Sequence, residues 1–398
     1  MGKKHAGLGA YAVAGFFVLL PPLAVGGALA LAPLQGILGV LAAPLRAPVP
    51  RSWSARLFLL FLLGFLCWLA VSVLWSPYPD PIQALKTPAG YLCGLLFASG
   101  AAATAENRRL VRAVGVAALI VLGALLCIEA LAQLPLNRLG QPEARLDLLA
   151  RNPMRGAAAL MVMVWASVAA LAGGGMLERY GWILLLALAG TASAQFGMDA
   201  NMAAFALGLC GYIFGFCLPR LALIGTTLGW ATWLLAAPWI VLHAPIPADM
   251  LARLPDSWAH RLGIWRFAAE HIQRQPWFGW GLDASRTFDQ RMIVDGRAMD
   301  ALPLHPHSFS LQVWLELGAV GAALGALALI AGGLAAARLL ASQRIAAAGA
   351  AGVIMAFGVL ANLSFGAWQE WWTATAFAAA ALVAASFRAS ADEASAEA

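Results

Sequence analysis

The twenty residues 56–75, RLFLLFLLGFLCWLAVSVLW, decide the fold class because only the first of them is charged. A helix of about 20 apolar residues is long enough to cross the hydrocarbon core of a bilayer. Similar runs occur on both sides of this stretch, and twelve are predicted to be membrane-spanning helices. The predicted spans are 9–25, 27–45, 56–75, 88–104, 109–132, 156–173, 181–196, 202–219, 221–243, 308–334, 345–364 and 371–387.

The composition supports a membrane protein along the whole chain. Hydrophobic residues make up 62% of the 398 residues, charged residues make up 11%, and the mean hydropathy is +0.79. A soluble domain carries about 25% charged residues, so this chain needs lipid to cover its surface. The net charge of +6 is spread between apolar runs, which argues against a nucleic-acid partner. The five cysteines lie in apolar stretches without metal-type spacing, so we expect neither disulfides nor a cysteine metal site.

Arginine and lysine occur in alternate connections between the predicted spans. Because positive charge favours the cytoplasmic side, this alternation places both termini in the cytoplasm. The two longest polar segments, 133–155 and 244–307, then lie on the extracytoplasmic side. The residues that carry the alternation are Lys3, Lys4, Arg46, Arg51, Arg56, Arg108, Arg109, Arg112, Arg179, Arg220, Arg338 and Arg344.

The predicted fold is therefore all-α, a polytopic transmembrane helical bundle of about twelve spans. Residues 1–243 hold about nine spans, and residues 244–307 form a long extracytoplasmic loop. Residues 308–387 hold about three further spans, and residues 388–398 form a short, disordered cytoplasmic tail.

The loop 244–307 concentrates the polar chemistry of the chain, with seven arginines, seven acidic residues and four of the six histidines. Between Trp258 and Ile272, apolar residues recur at helical spacing, which predicts an amphipathic helix at the membrane surface. Arg261 lies near its start, where a guanidinium can bind an anionic headgroup bidentately. The alternative is an arginine that extends to water beside an interfacial tryptophan. After the helix, Pro276 and two glycines in the run 276–281 predict a tight re-entrant turn between aromatic rings.

His305-Pro306-His307-Ser308 immediately precedes the span 308–334. A histidine at the mouth of a span is well placed to move a proton near neutral pH. Gln312 and Glu316 follow inside the apolar span, so each needs a polar partner. The His-x-His pair has no third and fourth ligand at usable spacing, so we expect no metal and no other cofactor.

Arg155 ends the other long polar segment, in the run Arg-Asn-Pro-Met-Arg-Gly at 151–156. This position places it at the mouth of the span 156–173, on the same side of the membrane as Arg261. Together the two arginines would suit a lipid diphosphate. The simpler interpretation is that both anchor helix ends.

These motifs resemble a known family. His307-Ser308, followed after nine residues by Gly318-Ala319-Val320-Gly321, is similar to the histidine-plus-GxxG signature of the O-antigen ligase family and related lipid-linked glycan polymerases. The runs 261–265 and 276–281 are similar to that family's Arg-x-x-Ile-Trp and Pro-x-x-Gly-x-Gly patterns. One departure is Ser308, which stands where the family commonly has asparagine.

The resemblance implies a GT-C-like membrane glycosyltransferase of the bacterial inner membrane, with its active site on the periplasmic face. The donor would be a glycan on undecaprenyl diphosphate, and the acceptor lipid A-core oligosaccharide or a growing glycan. By the same resemblance, His307 is the general base, and Arg261 and Arg155 bind the diphosphate. The residues expected to support this site are Ser308, His305, Trp265, Gln312 and Glu316.

Two other functions remain open from the sequence. A polymerase that joins repeat units needs the same donor site, and a twelve-span transporter or flippase is the more distant alternative. The partner that orients the His307 ring is also open, with Asp283, Asp289 and His305 as candidates.

Overall fold

A computed structural model describes residues 2–43, 52–101, 105–171, 176–245, 253, 255–294 and 297–387. Within these ranges the chain forms fourteen α-helices, two short 3-10 turns at Ser72–Trp75 and Ala284–Thr287, and one antiparallel β-hairpin. The helices are α1 Gly2–Val25, α2 Leu31–Ala42, α3 Trp53–Val71, α4 Pro81–Gly100, α5 Ala105–Leu131, α6 Pro135–Gly140, α7 Leu146–Ala170, α8 Met176–Gln195, α9 Asp199–Cys217, α10 Pro219–His243, α11 Asp256–Arg274, α12 Phe309–Leu340, α13 Arg344–Leu363 and α14 Glu370–Ala385. The strands are β1 Arg291–Val294 and β2 Arg297–Asp300.

Each of the twelve predicted spans corresponds to a helix of the structure. In the described part of the chain, eight helices (α1, α3, α5, α7, α9, α10, α12 and α13) are long and apolar enough to cross a membrane, whereas α2 has only 12 residues. The class of helical, multi-pass membrane protein is thereby confirmed, and the count of twelve crossings stays a prediction. The predicted tail 388–398 lies outside the described residues.

The predicted boundary between the polar segment 133–155 and the next span is wrong. Helix α7 already begins at Leu146, so Arg155 lies within a helix and not at its mouth. The reason is a buried face, since Leu149, Pro153 and Gly156 recur at helical spacing and all face the protein interior. Charged residues on the opposite face lower the average hydropathy and hide this extension from a scan for apolar runs.

Helices α7, α9 and α13 pack at the centre of the bundle. Small residues permit the close approach, as is typical of helices in membranes. A Cβ added at Gly349 would lie 2.7 Å from the Cβ of Ala169, and one at Gly352 would lie 2.9 Å from the Cβ of Trp165. Because the partner residue number falls as the α13 number rises, α7 and α13 run antiparallel.

Helix α11 lies across the ends of α10 and α12, which confirms the predicted amphipathic helix. Its residues Ile264, Ala268 and Ile272 are buried in one cluster with the α12 residues Leu311 and Leu315. The hairpin that follows α11 was not expected from the sequence.

Candidate functional site

Helix α12, which starts at Phe309, is interrupted at Gly318, about two and a half turns later. Gly318 has φ 64° and ψ −164°, a conformation that is essentially restricted to glycine. Such a break leaves main-chain groups on both sides without their helical partners. The sequence motif that begins with Gly318 therefore marks a break in helix α12 that requires glycine.

The residues Pro276 to Gly281, here called the inserted loop, satisfy these main-chain groups. The N–H of Trp280 donates to the carbonyl of Leu315 and that of Gly281 to the carbonyl of Glu316, both at 2.8 Å. In return, the carbonyl of Pro276 accepts from the N–H of Ala319 at 2.8 Å, and that of Trp277 accepts from Val320 at 3.3 Å. Gly279 has φ +68°, and a Cβ there would lie 2.5 Å from the main chain of Glu316. The two motifs therefore form one structural unit.

Glu316 is fully buried beside this unit and collects four hydrogen bonds. Its carboxylate accepts from the main-chain N–H of Asp283, the hydroxyl of Ser285 and the indole N–H of Trp368. The side-chain amide of Gln312 donates to it at 3.1 Å, while the amide oxygen of Gln312 accepts from the N–H of Ala367. Both predicted polar residues thus have partners, and they join the segment after the inserted loop to the connection between α13 and α14.

His307 precedes α12 with a left-handed φ of 52°. Its Nδ1 lies 2.8 Å from the carbonyl oxygen of Ser364, which is an acceptor only, so Nδ1 carries the proton. Among the described residues no group donates to Nε2, which is therefore available as an acceptor. Burial lowers the pKa of His307 below its ordinary value of 6.5; the Ser364 bond opposes this shift, and the nearby positive charge of Arg261 adds to it. The imidazole is therefore neutral at neutral pH and able to accept a proton at Nε2.

His305 packs edge-on against His307, with ring centroids 4.4 Å apart. Its Nδ1 accepts the main-chain N–H of His307 at 3.2 Å, and its Nε2 faces the side-chain amide of Gln369. Burial, followed by the neighbouring His307 and Arg286, lowers the pKa of His305 to about 3. His305 is therefore a neutral ring that holds the backbone of His307 rather than a proton carrier.

Ser308 caps α12, since its hydroxyl accepts from the N–H of Leu311. The same hydroxyl donates to Asn362 at 3.4 Å, and the amide oxygen of Asn362 also accepts from the N–H of Ser310. Serine at this position therefore fastens the start of α12 to the end of α13.

Arg261 is half-buried on α11, and its guanidinium carbon lies 4.9 Å above the Trp258 ring. Burial lowers the pKa of Arg261, and the negative charge of Asp199 opposes this shift. One turn further along, the indole N–H of Trp265 donates to the carbonyl of Pro306 at 3.0 Å. The Trp265 bond attaches α11 to the segment His305–His307. On the same helix, Arg261 is close enough for its positive charge to lower the pKa of His307.

Arg155 is half-buried on α7, on nearly the same face as Ala169. Arg155 lies fourteen residues before Ala169, and Leu363 lies fourteen residues after Gly349, the partner of Ala169. The antiparallel register therefore puts Arg155 at the depth of Leu363 and Ser364, whose carbonyl holds His307.

Neither acidic candidate orients His307. Asp283 pairs with Arg286 at 3.2 Å, and burial raises the pKa of this carboxyl despite that partner. Asp289 is exposed. The orienting group is the main-chain carbonyl of Ser364, which sequence reasoning missed because a carbonyl belongs to every residue type.

Further contributors missed from the sequence are Asn362, Trp368 and Ser285. Asn362 was the one with a usable signal, as a polar residue near the end of an apolar span. In the described residues, His, Cys, Asp and Glu side chains form no group of three or more that could hold a metal ion.

Part of the chain is similar in sequence to known proteins. Residues 158–326, which include Arg261, His307 and Gly318 but not Arg155, match the family model described as O-antigen ligase. A Rickettsia conorii protein named "Putative polysaccharide ligase" is 37% identical over 126 residues, 31% of this chain and 30% of that protein. A Rickettsia typhi protein with the same name is 46% identical over 78 residues, 19% of each chain. The matches thus span a third or less of the length of these relatives. The resemblance drawn from the motifs is confirmed, because residues 158–326 match the family model for O-antigen ligase and the relatives are named as putative polysaccharide ligases.

Proposed function

We propose that the protein is an inverting glycosyltransferase that moves a glycan from undecaprenyl diphosphate to lipid A-core oligosaccharide. One observation carries the proposal. The neutral ring of His307 is held through Nδ1 by Ser364, which leaves Nε2 free in the electrostatic surroundings of Arg261. A free base beside a cation suits a reaction in which a hydroxyl attacks as an anionic group departs.

In the proposed reaction, Nε2 of His307 takes the proton of the acceptor sugar hydroxyl. The hydroxyl oxygen forms a bond to the anomeric carbon of the donor glycan as the bond from that carbon to the diphosphate oxygen breaks. The diphosphate keeps the electron pair, and Arg261 and Arg155 bind the charge that develops on it. A single displacement of this kind inverts the anomeric centre.

Two positioned guanidinium groups supply the charge stabilisation that other transferases take from a metal ion, so the proposed reaction needs neither a metal nor a nucleotide sugar. The depth match between Arg155 and Ser364 supports a shared role for the two arginines. Membrane lipids surround the helices, and no nucleic acid takes part.

The proposed location is the bacterial inner membrane, with both termini in the cytoplasm and the site on the periplasmic face. The packing supports a common face for the site. Trp258 at the start of α11 contacts Asp199 at the start of α9, and His307 before α12 contacts Ser364 after α13. These ends belong to one side of an alternating bundle.

The test uses purified protein in lipid vesicles with undecaprenyl-diphosphate-linked glycan, lipid A-core acceptor and EDTA. Wild type is expected to form glycosylated lipid A-core, and His307→Ala is expected to form none. His243→Ala is the matched control because His243 is exposed at a helix end, where its ring stacks on Trp239. Glycan that lengthens on the lipid carrier instead would establish the polymerase alternative. Full activity of His307→Ala would refute the proposed base, whereas no product from wild type with a range of donors would favour the transporter alternative.

A further inference from the structure

Three side chains from two helices form a row at the periphery of the candidate site. Asp199 is the first residue of α9, whereas Trp258 and Arg261 lie one turn apart on α11. The indole N–H of Trp258 donates to Oδ2 of Asp199 at 3.2 Å, and the Trp258 ring carries the guanidinium of Arg261 at 4.9 Å. Trp258 therefore contacts Asp199 with its edge and Arg261 with its face.

The geometry leaves the hydrogen-bonding edge of Arg261 free. Within the described part of the chain Arg261 makes no hydrogen bond, and its guanidinium forms no ion pair with Asp199, although the carboxylate raises the pKa of Arg261 by charge alone. A half-buried arginine ordinarily bonds directly to its counter-ion. Here the Trp258 ring contacts both groups, Asp199 through its indole N–H and the Arg261 guanidinium through its face.

We infer that Trp258 and Asp199 are positioning residues that hold Arg261 in the orientation in which it binds the donor diphosphate. This inference rests on the proposed function, because the anion is the diphosphate of that donor. The N–H···O bond fixes the indole ring, the ring fixes the plane of the guanidinium, and the free edge of the guanidinium then meets the phosphate oxygens as a pair of parallel donors. The two residues act on donor binding, while proton transfer by His307 is untouched.

A merely structural role makes a different prediction. If the Trp258–Asp199 bond served only to dock α11 on α9, its loss would loosen α11, which also holds the histidine segment through Trp265. The turnover rate and the KM values for both substrates would then change together. A positioning role raises the KM for the donor alone.

Paired substitutions separate the hydrogen bond from the charge. Trp258→Phe keeps an aromatic face but removes the N–H, and Asp199→Ala removes its acceptor. Each is expected to weaken donor binding about threefold to tenfold, the range for one hydrogen bond. Asp199→Asn keeps an acceptor oxygen without the charge, so it is expected to stay within about twofold of wild type. Because both changes break the same bond, the double variant Trp258→Phe/Asp199→Ala is expected to be no weaker than the poorer single variant.

The matched control is Trp182→Phe, which removes the indole bond of an exposed tryptophan to the Arg179 carbonyl on α8. Its donor affinity is expected to equal that of wild type.

The binding experiment uses glycan-linked undecaprenyl diphosphate in nanodiscs, with every variant built on His307→Ala so that no turnover occurs. Steady-state KM and kcat are then measured for the same variants with His307 restored. Failure of the parent His307→Ala protein to bind glycan-linked undecaprenyl diphosphate would refute the proposed function itself. Normal binding by the parent together with equal binding by Trp258→Phe would overturn this inference alone. Additive losses in the double variant, or parallel changes in both KM values and kcat, would also overturn it.

Discussion

Replacing Gly318 by alanine is expected to make the inserted loop open far more often from the break in α12. A Cβ at this position would collide with the carbonyl oxygen of Trp277 and would lie 2.6 Å from the nitrogen of Gly279. Both neighbours are main-chain atoms, so no side chain can move aside. The backbone conformation, with φ 64° and ψ −164°, adds a strain of about 1–3 kcal/mol for any residue other than glycine.

The chain can relieve both penalties only by withdrawing the inserted loop, which breaks the four main-chain hydrogen bonds between the loop and α12. At a net value of about 1 kcal/mol each, those bonds oppose withdrawal by about 4 kcal/mol. The strain and the collision together cancel most of this, so we expect the substitution to lower the free energy of loop opening by about 3 kcal/mol. That change corresponds to a roughly hundredfold increase in the open population.

Amide hydrogen exchange measures this opening directly, at the N–H groups of Trp280 and Gly281. In Gly318→Ala protein they are expected to exchange roughly a hundredfold faster than in wild type, with a parallel loss of glycan transfer. Gly229→Ala is the matched control, because Gly229 lies in helix α10 with open space around its missing Cβ. Unchanged exchange at Trp280 and Gly281 would refute the view that the inserted loop depends on a glycine break.

Three further outcomes are expected. Glu316→Ala leaves four buried donors without an acceptor and is expected to destabilise the protein by about 3–5 kcal/mol, measured as unfolding at a lower temperature in detergent. The stability of Glu316→Gln is expected to lie between those of wild type and Glu316→Ala. A Glu316→Ala protein as stable as wild type would contradict the role of the carboxylate as a shared acceptor. Trp265→Phe removes the hydrogen bond to the Pro306 carbonyl and is expected to lower the rate of glycan transfer a few-fold without changing the KM for the donor. A change in the KM for the donor alone would contradict the view that Trp265 acts on the histidine segment. Because the pKa of His307 lies below 6.5 and only the neutral ring accepts a proton, kcat/KM is expected to stay constant as the pH falls to 6.5 and to decrease at lower pH. A decrease of kcat/KM with a midpoint above pH 6.5 would contradict a lowered pKa of His307.

The helical membrane class could be predicted from the sequence because each span is a local property of about 20 residues. The amphipathic helix α11 was equally accessible, since its buried residues Ile264, Ala268 and Ile272 share one periodic face. The start of α7 was not accessible to the same scan. There charged residues lie between the buried residues Leu149, Pro153 and Gly156. The helix can therefore be recognised from the spacing of its buried residues but not from their average hydropathy.

Within the candidate site, the motif residues could be found from the sequence but their partners could not. His307 and Arg261 carry recognisable side chains, and the family match over 158–326 contains both. Ser364 contributes only its carbonyl oxygen, and it does so from 57 positions away in the chain. Contacts of this kind depend on which helix ends meet, which is a property of the packed bundle.

The packed bundle also explains why the glycine motifs at 276–281 and 318–321, some forty residues apart, form one structural unit. The carbonyls of Leu315 and Glu316 lose their helical donors only because Gly318 breaks α12, and the N–H groups of Trp280 and Gly281 supply replacements. The inserted loop therefore depends on the break, while the break would leave buried main-chain groups unpaired without the loop. Since the carboxylate of Glu316 at this junction also accepts from Trp368 after α13, the junction is joined to the connection whose first carbonyl orients His307. A mutation at either glycine motif is thus expected to reach His307 through hydrogen bonds even when no motif residue touches its ring.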